Sequence, residues 1–336
     1  MSKNPIAPVL IVGGSGVVGA RAAKTLRKLQ PDLPITIGGR DLAKASAVAK
    51  EIGHADASKI DLERADLGQP RDQSFSAVVM FVKDDTLHSM KYAQSMGAAY
   101  IGISTAAFEI APEVGQFAHA PASAPILMAS NWLAGSATLA TLHFAREFQR
   151  IDTIEIGAVL DEQDIGGPAA TIDYERQTTA APNALILDDG KWIWATGAKA
   201  TREFTTVDGA TVRGQAYSLL DALSLATATD ARSVRFDVVI GESAGRRRGA
   251  PFSTEIIVEI AGTKRDGSKA RVRHELSHPE GQAPMTAVGV AVAVERLLGL
   301  TGGPPVQPAL YLPNLLIDPE TMMRRLSEFG AHVRRV

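Results

Sequence analysis

The 336-residue sequence contains no cysteine. This absence excludes disulfide bonds, thiolate catalysis and zinc sites built on cysteine. It also fits a reducing compartment, so we expect a cytoplasmic protein. Aromatic residues make up only 5% of the chain and charged residues 21%, while 45% are hydrophobic, which is an ordinary globular balance with no sign of disorder.

An excess of one charge and long apolar runs are also missing. The net charge of −2 creates no field that would attract nucleic acid or an acidic membrane. The apolar run before the first glycines is too short for a signal peptide, and no stretch approaches the ~20 apolar residues that span a bilayer. No His-x-x-His or carboxylate cluster has metal-ligand spacing, so we predict no metal ion. As a separate expectation, the partner of this protein is a small molecule.

The first part of the chain alternates strand-like and helix-like patterns. "PVLIVGG" is a predicted strand, "GVVGARAAKTLRKLQ" a helix, "PITIGGR" a second strand and "FSAVVMFV" a fully apolar strand. Such alternation is typical of parallel strands joined by crossover helices. The sequence therefore predicts an α/β fold with a Rossmann, doubly wound parallel sheet over residues 1–130.

Beyond Asn131 the pattern changes. Runs such as "SVRFDVVIG", "FSTEIIVEIAGT" and "ARVRHELS" alternate apolar and polar residues, which favours antiparallel strands with one covered face. We predict a second, α+β domain with a largely antiparallel or mixed sheet over residues 131–300, for substrate binding or dimerisation. A C-terminal segment, 301–336, holds the predicted helix "DPETMMRRLSEFGAHV" and is expected to pack on the N-terminal domain.

Three glycines stand between the first predicted strand and helix. Gly14, Gly16 and Gly19 form the pattern G-x-G-x-x-G. In a dinucleotide-binding turn the first glycine allows the tight bend, the second lets the backbone approach a pyrophosphate, and the third lets helix and strand pack closely. The alternative is a glycine-rich turn without a ligand, but the position at the start of a βαβ unit favours nucleotide binding.

The second predicted strand ends on Arg40 and not on an acid. An NAD site usually places a carboxylate there for the ribose 2′-hydroxyl, whereas a guanidinium binds a 2′-phosphate in bidentate fashion. Asp41 follows as the predicted cap of the next helix. We therefore predict NADP(H) as the cofactor; the alternative is that Arg40 is an ordinary surface residue.

These motifs resemble the saccharopine dehydrogenase-like family of NAD(P) oxidoreductases. The resemblance is carried by "IVGGSGVVGARAAKTL", "GGRDLAKASAVAKEIG", "VVMFV" and "GAAYIGIST", with a looser likeness in "ASNWLAGSATLATL" and in the closing segment. It implies hydride transfer at a C–N bond of an amino-acid-like compound, and a homodimer. The sequence departs from the family pattern at Ile103-Ser104-Thr105, which lacks the expected acid, and at Asn131-Trp132-Leu133.

The loops after two central strands are predicted to border the nicotinamide, because ligands bind at the carboxyl ends of strands in a doubly wound sheet. Val82 and Lys83 would contact it mainly through their backbone, while Ser104 and Thr105 would orient its carboxamide or the substrate. Asp84 and Asp85 have helix capping as an equal alternative. The predicted cofactor-binding residues are Gly14, Ser15, Gly16, Val17, Val18, Gly19, Gly39, Arg40, Asp41, Val82, Lys83, Ser104 and Thr105.

Hydride transfer to an imine or carbonyl also needs a proton donor. The candidates are Lys83, His143 and Tyr174, and the sequence does not rank them. The run Arg246-Arg247-Arg248 either binds an anionic group of the substrate or forms a solvated hairpin loop.

Three hypotheses about function stay open at this point. The first is an NADP-dependent oxidoreductase that acts on a C–N bond. The second is an NADPH-dependent reductase of C=O or C=C bonds, because the same cleft suits either electrophile. The third is an NADP(H)-binding sensor without turnover.

Overall fold

The computed structural model describes residues 6–164 and 166–336. It divides the chain into two compact units. The described residues of the first unit are 6–105, 109–130 and 287–316, and those of the second are 106–108, 131–164, 166–286 and 317–336.

The first part of the chain is a regular alternation of strands and helices. Its elements are β1 (Val9–Val12), α1 (Val17–Leu29), β2 (Ile35–Gly39), α2 (Leu42–Ile52), β3 (Ala55–Lys59), β4 (Ala77–Met80), α3 (His88–Ser95), β5 (Ala99–Gly102), α4 (Ala111–His119) and β6 (Ile126–Met128).

The rest of the chain is richer in long strands. Its elements are α5 (Ser136–Ala145), β7 (Phe148–Asp161), α6 (Pro168–Ala180), β8 (Leu185–Asp188), β9 (Lys191–Trp194), β10 (Thr201–Thr205), β11 (Thr211–Ala216), α7 (Leu220–Ala228), β12 (Ser233–Gly241), α8 (Ala244–Arg247), β13 (Thr254–Lys264), β14 (Lys269–His278), α9 (Gln282–Leu297), β15 (Leu310–Tyr311), α10 (Pro313–Leu316), α11 (Pro319–Glu328) and β16 (His332–Arg335).

The sheet of the first unit has seven strands in the order β15-β6-β5-β4-β1-β2-β3. All of its pairings are parallel. Every residue of β1, β4 and β5 is buried, as expected for strands with helices on both faces. The predicted doubly wound Rossmann sheet is confirmed.

The sheet of the second unit is mixed. Its main path runs β10-β11-β12-β7-β13-β14-β16, and β8 and β9 extend it from β12. β12 pairs with β7 in parallel over nine residues, whereas β13 is antiparallel to both of its neighbours. The predicted α+β character with a mixed sheet is confirmed.

The C-terminal region differs from the prediction. Residues 301–316 belong to the first unit, where β15 joins the parallel sheet, but residues 317–336 belong to the second. The predicted final helix stops at Glu328, because Gly330 adopts a left-handed φ of 93°, and the chain continues as β16 along β14. The single segment 301–336 predicted to pack on the N-terminal domain is therefore corrected.

No helix among the described residues is both long enough and apolar enough to cross a bilayer.

Candidate functional site

The turn between β1 and α1 and the first turn of the helix contain four glycines, Gly13, Gly14, Gly16 and Gly19, of which three have a clear structural reason. Gly13, one residue before the predicted motif, takes the left-handed φ of 79° that makes the bend. Gly14 is needed for a different reason, because a Cβ there would lie 2.7 Å from the carbonyl oxygen of Ile11. Gly19 lies against the turn itself, with a would-be Cβ 2.9 Å from the Cα of Gly14. The role of bend residue, predicted for Gly14, belongs to Gly13.

The amino end of α1 is open to an anion. Gly16 is its exposed N-cap, and no side chain of the described residues caps the helix. The first hydrogen bond into the helix runs from the Ala20 N–H to the Gly16 carbonyl at 2.9 Å, so the N–H groups of Val17, Val18 and Gly19 precede it. No acid lies in this first turn. The local field is therefore positive and favours phosphate.

Two neighbouring strands border the glycine turn. On one side a Cβ on Gly39, at the end of β2, would lie 3.1 Å from the Ser15 Oγ. On the other side a Cβ on Gly13 would lie 3.2 Å from the Cγ1 of Val82, just beyond β4. The structure thus brings the predicted residues of β1–α1, β2 and β4 together at one edge of the sheet.

Arg40 follows Gly39 and is exposed. Within the described ranges its guanidinium makes no hydrogen bond or ion pair. Asp41 caps α2, accepting a hydrogen bond of 3.1 Å from the Lys44 N–H, as predicted. The cation is therefore available to a ligand, while the adjacent carboxylate already has a structural partner.

The loop after β4 contains one buried acid. Asp84 accepts hydrogen bonds from the N–H of Ser89 at 2.8 Å and from the hydroxyl of Thr86 at 2.6 Å. These contacts favour the capping alternative for Asp84, because they fix the chain at the start of α3. Asp85 is exposed, and Lys83 is half-buried.

A buried polar cluster follows β5. The Thr105 hydroxyl donates to the Glu113 carboxylate at 2.7 Å, and the Thr105 N–H donates to the Ser130 Oγ at 2.9 Å. Ser104, Thr105 and Glu113 are each no more than 7% exposed. Burial raises the pKa of Glu113, while the Thr105 hydrogen bond and the charge of Lys83 oppose that rise. Thr105 therefore hydrogen-bonds this carboxyl group directly, while Lys83 acts on it through its charge.

The other two proton-donor candidates belong to the second unit. Tyr174 lies on α6 and is 39% exposed, with its ring stacked on that of Tyr217 at 6.0 Å. His143 lies half-buried on α5 with its ring edge-on to Phe144, and its buried Nδ1 has no hydrogen-bond partner among the residues that the structure describes.

The three arginines between β12 and β13 are not a free anion site. Arg246 pairs with the buried Asp161 at 3.2 Å and with Glu162 at 2.7 Å, and Arg247 pairs with Asp208 at 2.7 Å. Arg246 and Arg247 lie in the short helix α8 and Arg248 follows it, and β12 and β13 each pair with β7, so the alternative of a solvated hairpin loop is corrected as well. Two of the three charges are held by carboxylates of the protein.

Sequence reasoning missed Gly13 and Glu113. The Gly13–Gly14 pair is visible in the sequence, but spacing alone does not tell which glycine is left-handed. Glu113 follows Pro112 in the first turn of α4, where an acid is expected to be exposed. Within the described ranges, no group of three or more His, Asp or Glu side chains is placed to hold a metal ion.

No family model and no curated protein matches the sequence. Among solved structures, the chain is similar to apo saccharopine dehydrogenase (L-Glu forming) from Saccharomyces cerevisiae, with a TM-score of 0.65 and 12% identity over 98% of this chain and 100% of that chain. A myo-inositol dehydrogenase from Corynebacterium glutamicum aligns with a TM-score of 0.46 and 11% identity over 98% of each chain, too loose a likeness to carry an argument. The first comparison confirms the fold that the sequence resemblance implied.

Proposed function

We propose that the protein is an NADP(H)-dependent oxidoreductase that moves a hydride to or from a small substrate. The observation that carries this proposal is the amino end of α1, which lies at a glycine turn and which no side chain of the described residues caps. Arg40 lies one residue beyond β2, and its guanidinium has no ion pair within those residues. The helix end is suited to a pyrophosphate, and the guanidinium is suited to an adenosine 2′-phosphate. The fold similarity to a saccharopine dehydrogenase supports the same class of chemistry.

The residues of the turn fit this cofactor. Side chains at positions 14 and 19 would collide with backbone, so the glycines keep the turn compact, and the exposed Gly16 leaves room for a phosphate to approach the amides. Ser15 adds a hydroxyl beside Gly39. When bound, NADPH supplies the hydride.

We assign proton donation to Lys83 in the first instance. It follows β4, at the edge where nicotinamide is expected, and its charge acts on the buried Glu113 carboxyl group. Glu113 accepts a hydrogen bond from the Thr105 hydroxyl, whose oxygen can in turn accept one from a carboxamide N–H₂. Tyr174 and His143 are the alternatives. Lys83→Met is expected to lower kcat with little change in cofactor affinity, and Tyr174→Phe and His143→Gln are the parallel variants.

The cofactor assignment is tested by titrating NADPH and NADH separately into wild type and Arg40→Ala. We expect wild type to prefer NADPH, and Arg40→Ala to weaken NADPH binding by about tenfold or more, the equivalent of one charge-assisted contact, while NADH binding is unchanged. Unchanged NADPH affinity in Arg40→Ala would remove Arg40 as the discriminator.

The substrate class is tested by NADPH oxidation over a panel of imines, ketones and enones. We propose an imine or amine of an amino-acid-like compound, on the strength of the family resemblance. Turnover of ketones or enones alone would favour the second hypothesis, a C=O or C=C reductase. A folded protein that binds NADPH but turns over no class would favour the sensor.

The proposal includes a homodimer in the cytoplasm. The resemblance supports the dimer, and the absence of cysteine fits the compartment. Light scattering at micromolar concentration is expected to give the mass of two chains, and a monomer would remove that part of the proposal.

A further inference from the structure

We propose that Lys59 forms, together with Arg40, a two-cation site that selects dinucleotides carrying a 2′-phosphate. The inference rests on the proposed NADP(H) function and names a second specificity residue for the same site. It follows from the register of two strands, which the spacing of sequence motifs does not show.

The register places Lys59 beside the predicted phosphate site. β2 and β3 are parallel, and Gly39 is the ladder partner of Lys59, the last residue of β3. Partners on neighbouring strands lie about 4.8 Å apart, and their side chains leave the sheet on the same face. At Gly39 that face is the one where Ser15 lies, because a Cβ there would approach the Ser15 Oγ to 3.1 Å. Lys59 therefore leaves β3 on the side of the glycine turn.

The charge of a 2′-phosphate also favours a second cation at this site. A phosphomonoester carries a charge of about −1.5 to −2 at pH 7, so one guanidinium neutralises only part of it. Lys59 is exposed, and in the part of the chain that the structure describes its ammonium has no ion pair or hydrogen bond. The nearby acids have structural partners: Asp41 accepts from the Lys44 N–H, and Asp61 accepts from the Glu63 N–H at 3.1 Å.

Hydrogen bonds hold the backbone around Lys59. Buried Gln69 donates its amide N–H₂ to the Lys59 carbonyl at 3.1 Å and accepts from the Ser58 hydroxyl at 2.7 Å. The Ile60 N–H donates to the Gly39 carbonyl at 3.0 Å, which ties the end of β3 to β2. Binding therefore has to order only the lysine side chain, which limits the entropic cost.

The test is a titration of NADPH and NADH into wild type, Lys59→Gln, Arg40→Ala and the double variant, at low and high salt. The matched control is Lys91→Gln, which removes another exposed lysine of the same unit, on α3. We expect Lys59→Gln to weaken NADPH binding by about tenfold, to leave NADH binding unchanged and to reduce the salt dependence for NADPH. Lys59→Arg is expected to keep the preference, and Lys91→Gln to behave as wild type.

The titration results distinguish an error in the role of Lys59 from an error in the proposed function. If Arg40→Ala weakens NADPH binding and Lys59→Gln does not, the role of Lys59 is wrong and the proposed function stands. Equal losses for NADPH and NADH in Lys59→Gln also overturn it, since a 2′-phosphate contact cannot affect NADH. A wild-type protein that binds neither dinucleotide overturns the proposed function itself, and Lys59 with it.

Discussion

Gly13 and Gly19 lie so close that a Cβ on Gly19 would be 2.9 Å from the carbonyl carbon of Gly13. The contact joins the left-handed residue of the turn to the first turn of α1. It explains why a glycine is required at a position whose own backbone conformation is ordinary.

Gly19→Ala is expected to lower the free energy of unfolding by about 1–3 kcal/mol, because the new methyl group forces helix and turn apart. The control is Gly115→Ala in the middle of α4, where no neighbouring atom lies within 4 Å of a new Cβ. That change should stabilise the protein by about 0.5–1 kcal/mol, the usual gain for alanine over glycine in a helix. Urea unfolding of both variants measures the difference, and shifts of the same sign would contradict this account.

The bond between Thr105 and Glu113 is expected to matter for stability. Thr105→Val keeps the shape of the side chain but removes the hydroxyl that donates to the buried Glu113 carboxyl group, at a cost of about 1–3 kcal/mol. The pKa of Glu113, already raised by burial, should rise further. A buried carboxyl group with a raised pKa lowers the free energy of unfolding of the protein when it ionises. The loss of stability in Thr105→Val should therefore be larger at neutral than at acidic pH.

Chemical denaturation at two pH values checks this prediction. A double-mutant cycle with Glu113→Gln isolates the charge-dependent part of this hydrogen bond, because the glutamine oxygen still accepts from Thr105 but carries no charge. Adding Thr105→Val to the glutamine background should therefore cost less than in wild type. Additive losses would show that the two side chains are not coupled.

Asp221 is expected to make the free energy of unfolding depend on pH in the direction opposite to that of a salt-bridged acid. It is fully buried on α7, accepting from the Thr138 hydroxyl and from the Trp132 N–H at 2.6 Å each, and burial raises its pKa to about 6. An unfolded aspartate has a pKa near 3.9, so between these values the native state binds more protons. The free energy of unfolding should therefore fall as pH rises through this window, by about 3 kcal/mol from this residue, and level off above it.

Asp221→Asn is expected to flatten that slope, measured by urea unfolding from pH 4 to pH 7. Part of it will remain, since burial also raises the pKa of Asp164 to about 6. Asp72→Asn, at an exposed position, is the control and should retain the wild-type slope. An unchanged slope in Asp221→Asn would show that this carboxyl group titrates normally.

Arg246, in α8, and Arg248, directly after it, differ in their expected importance for stability. Arg246→Ala removes the cation paired with Asp161, which is only 1% exposed, and should lower the thermal midpoint by several degrees. Arg248→Ala should leave the midpoint unchanged, because within the described residues its side chain has no ion pair. Substrate affinity should be the same in both variants; loss of affinity without loss of stability in Arg246→Ala would restore the anion-binding alternative.

Much of the first unit was readable from the sequence. The buried runs of β1 and β4, the cap of α2 at Asp41 and the G-x-G-x-x-G spacing are patterns within short stretches, and each produced the predicted element. The end of the final helix was not predicted correctly. The residues after α11 form β16, and this strand depends on pairing with the distant strand β14.

The sequence by itself determined the alternation of strands and helices, the open helix end at the glycine turn and the cation that follows β2. These depend on side-chain type and local backbone freedom. The tertiary structure decided that Gly13 makes the bend, that Glu113 is buried against Thr105, that α8 is neutralised by acids and that Lys59 stands beside Gly39. Each of these depends on the backbone conformation, strand register or packing of the folded chain, which the residue types within one short stretch do not specify.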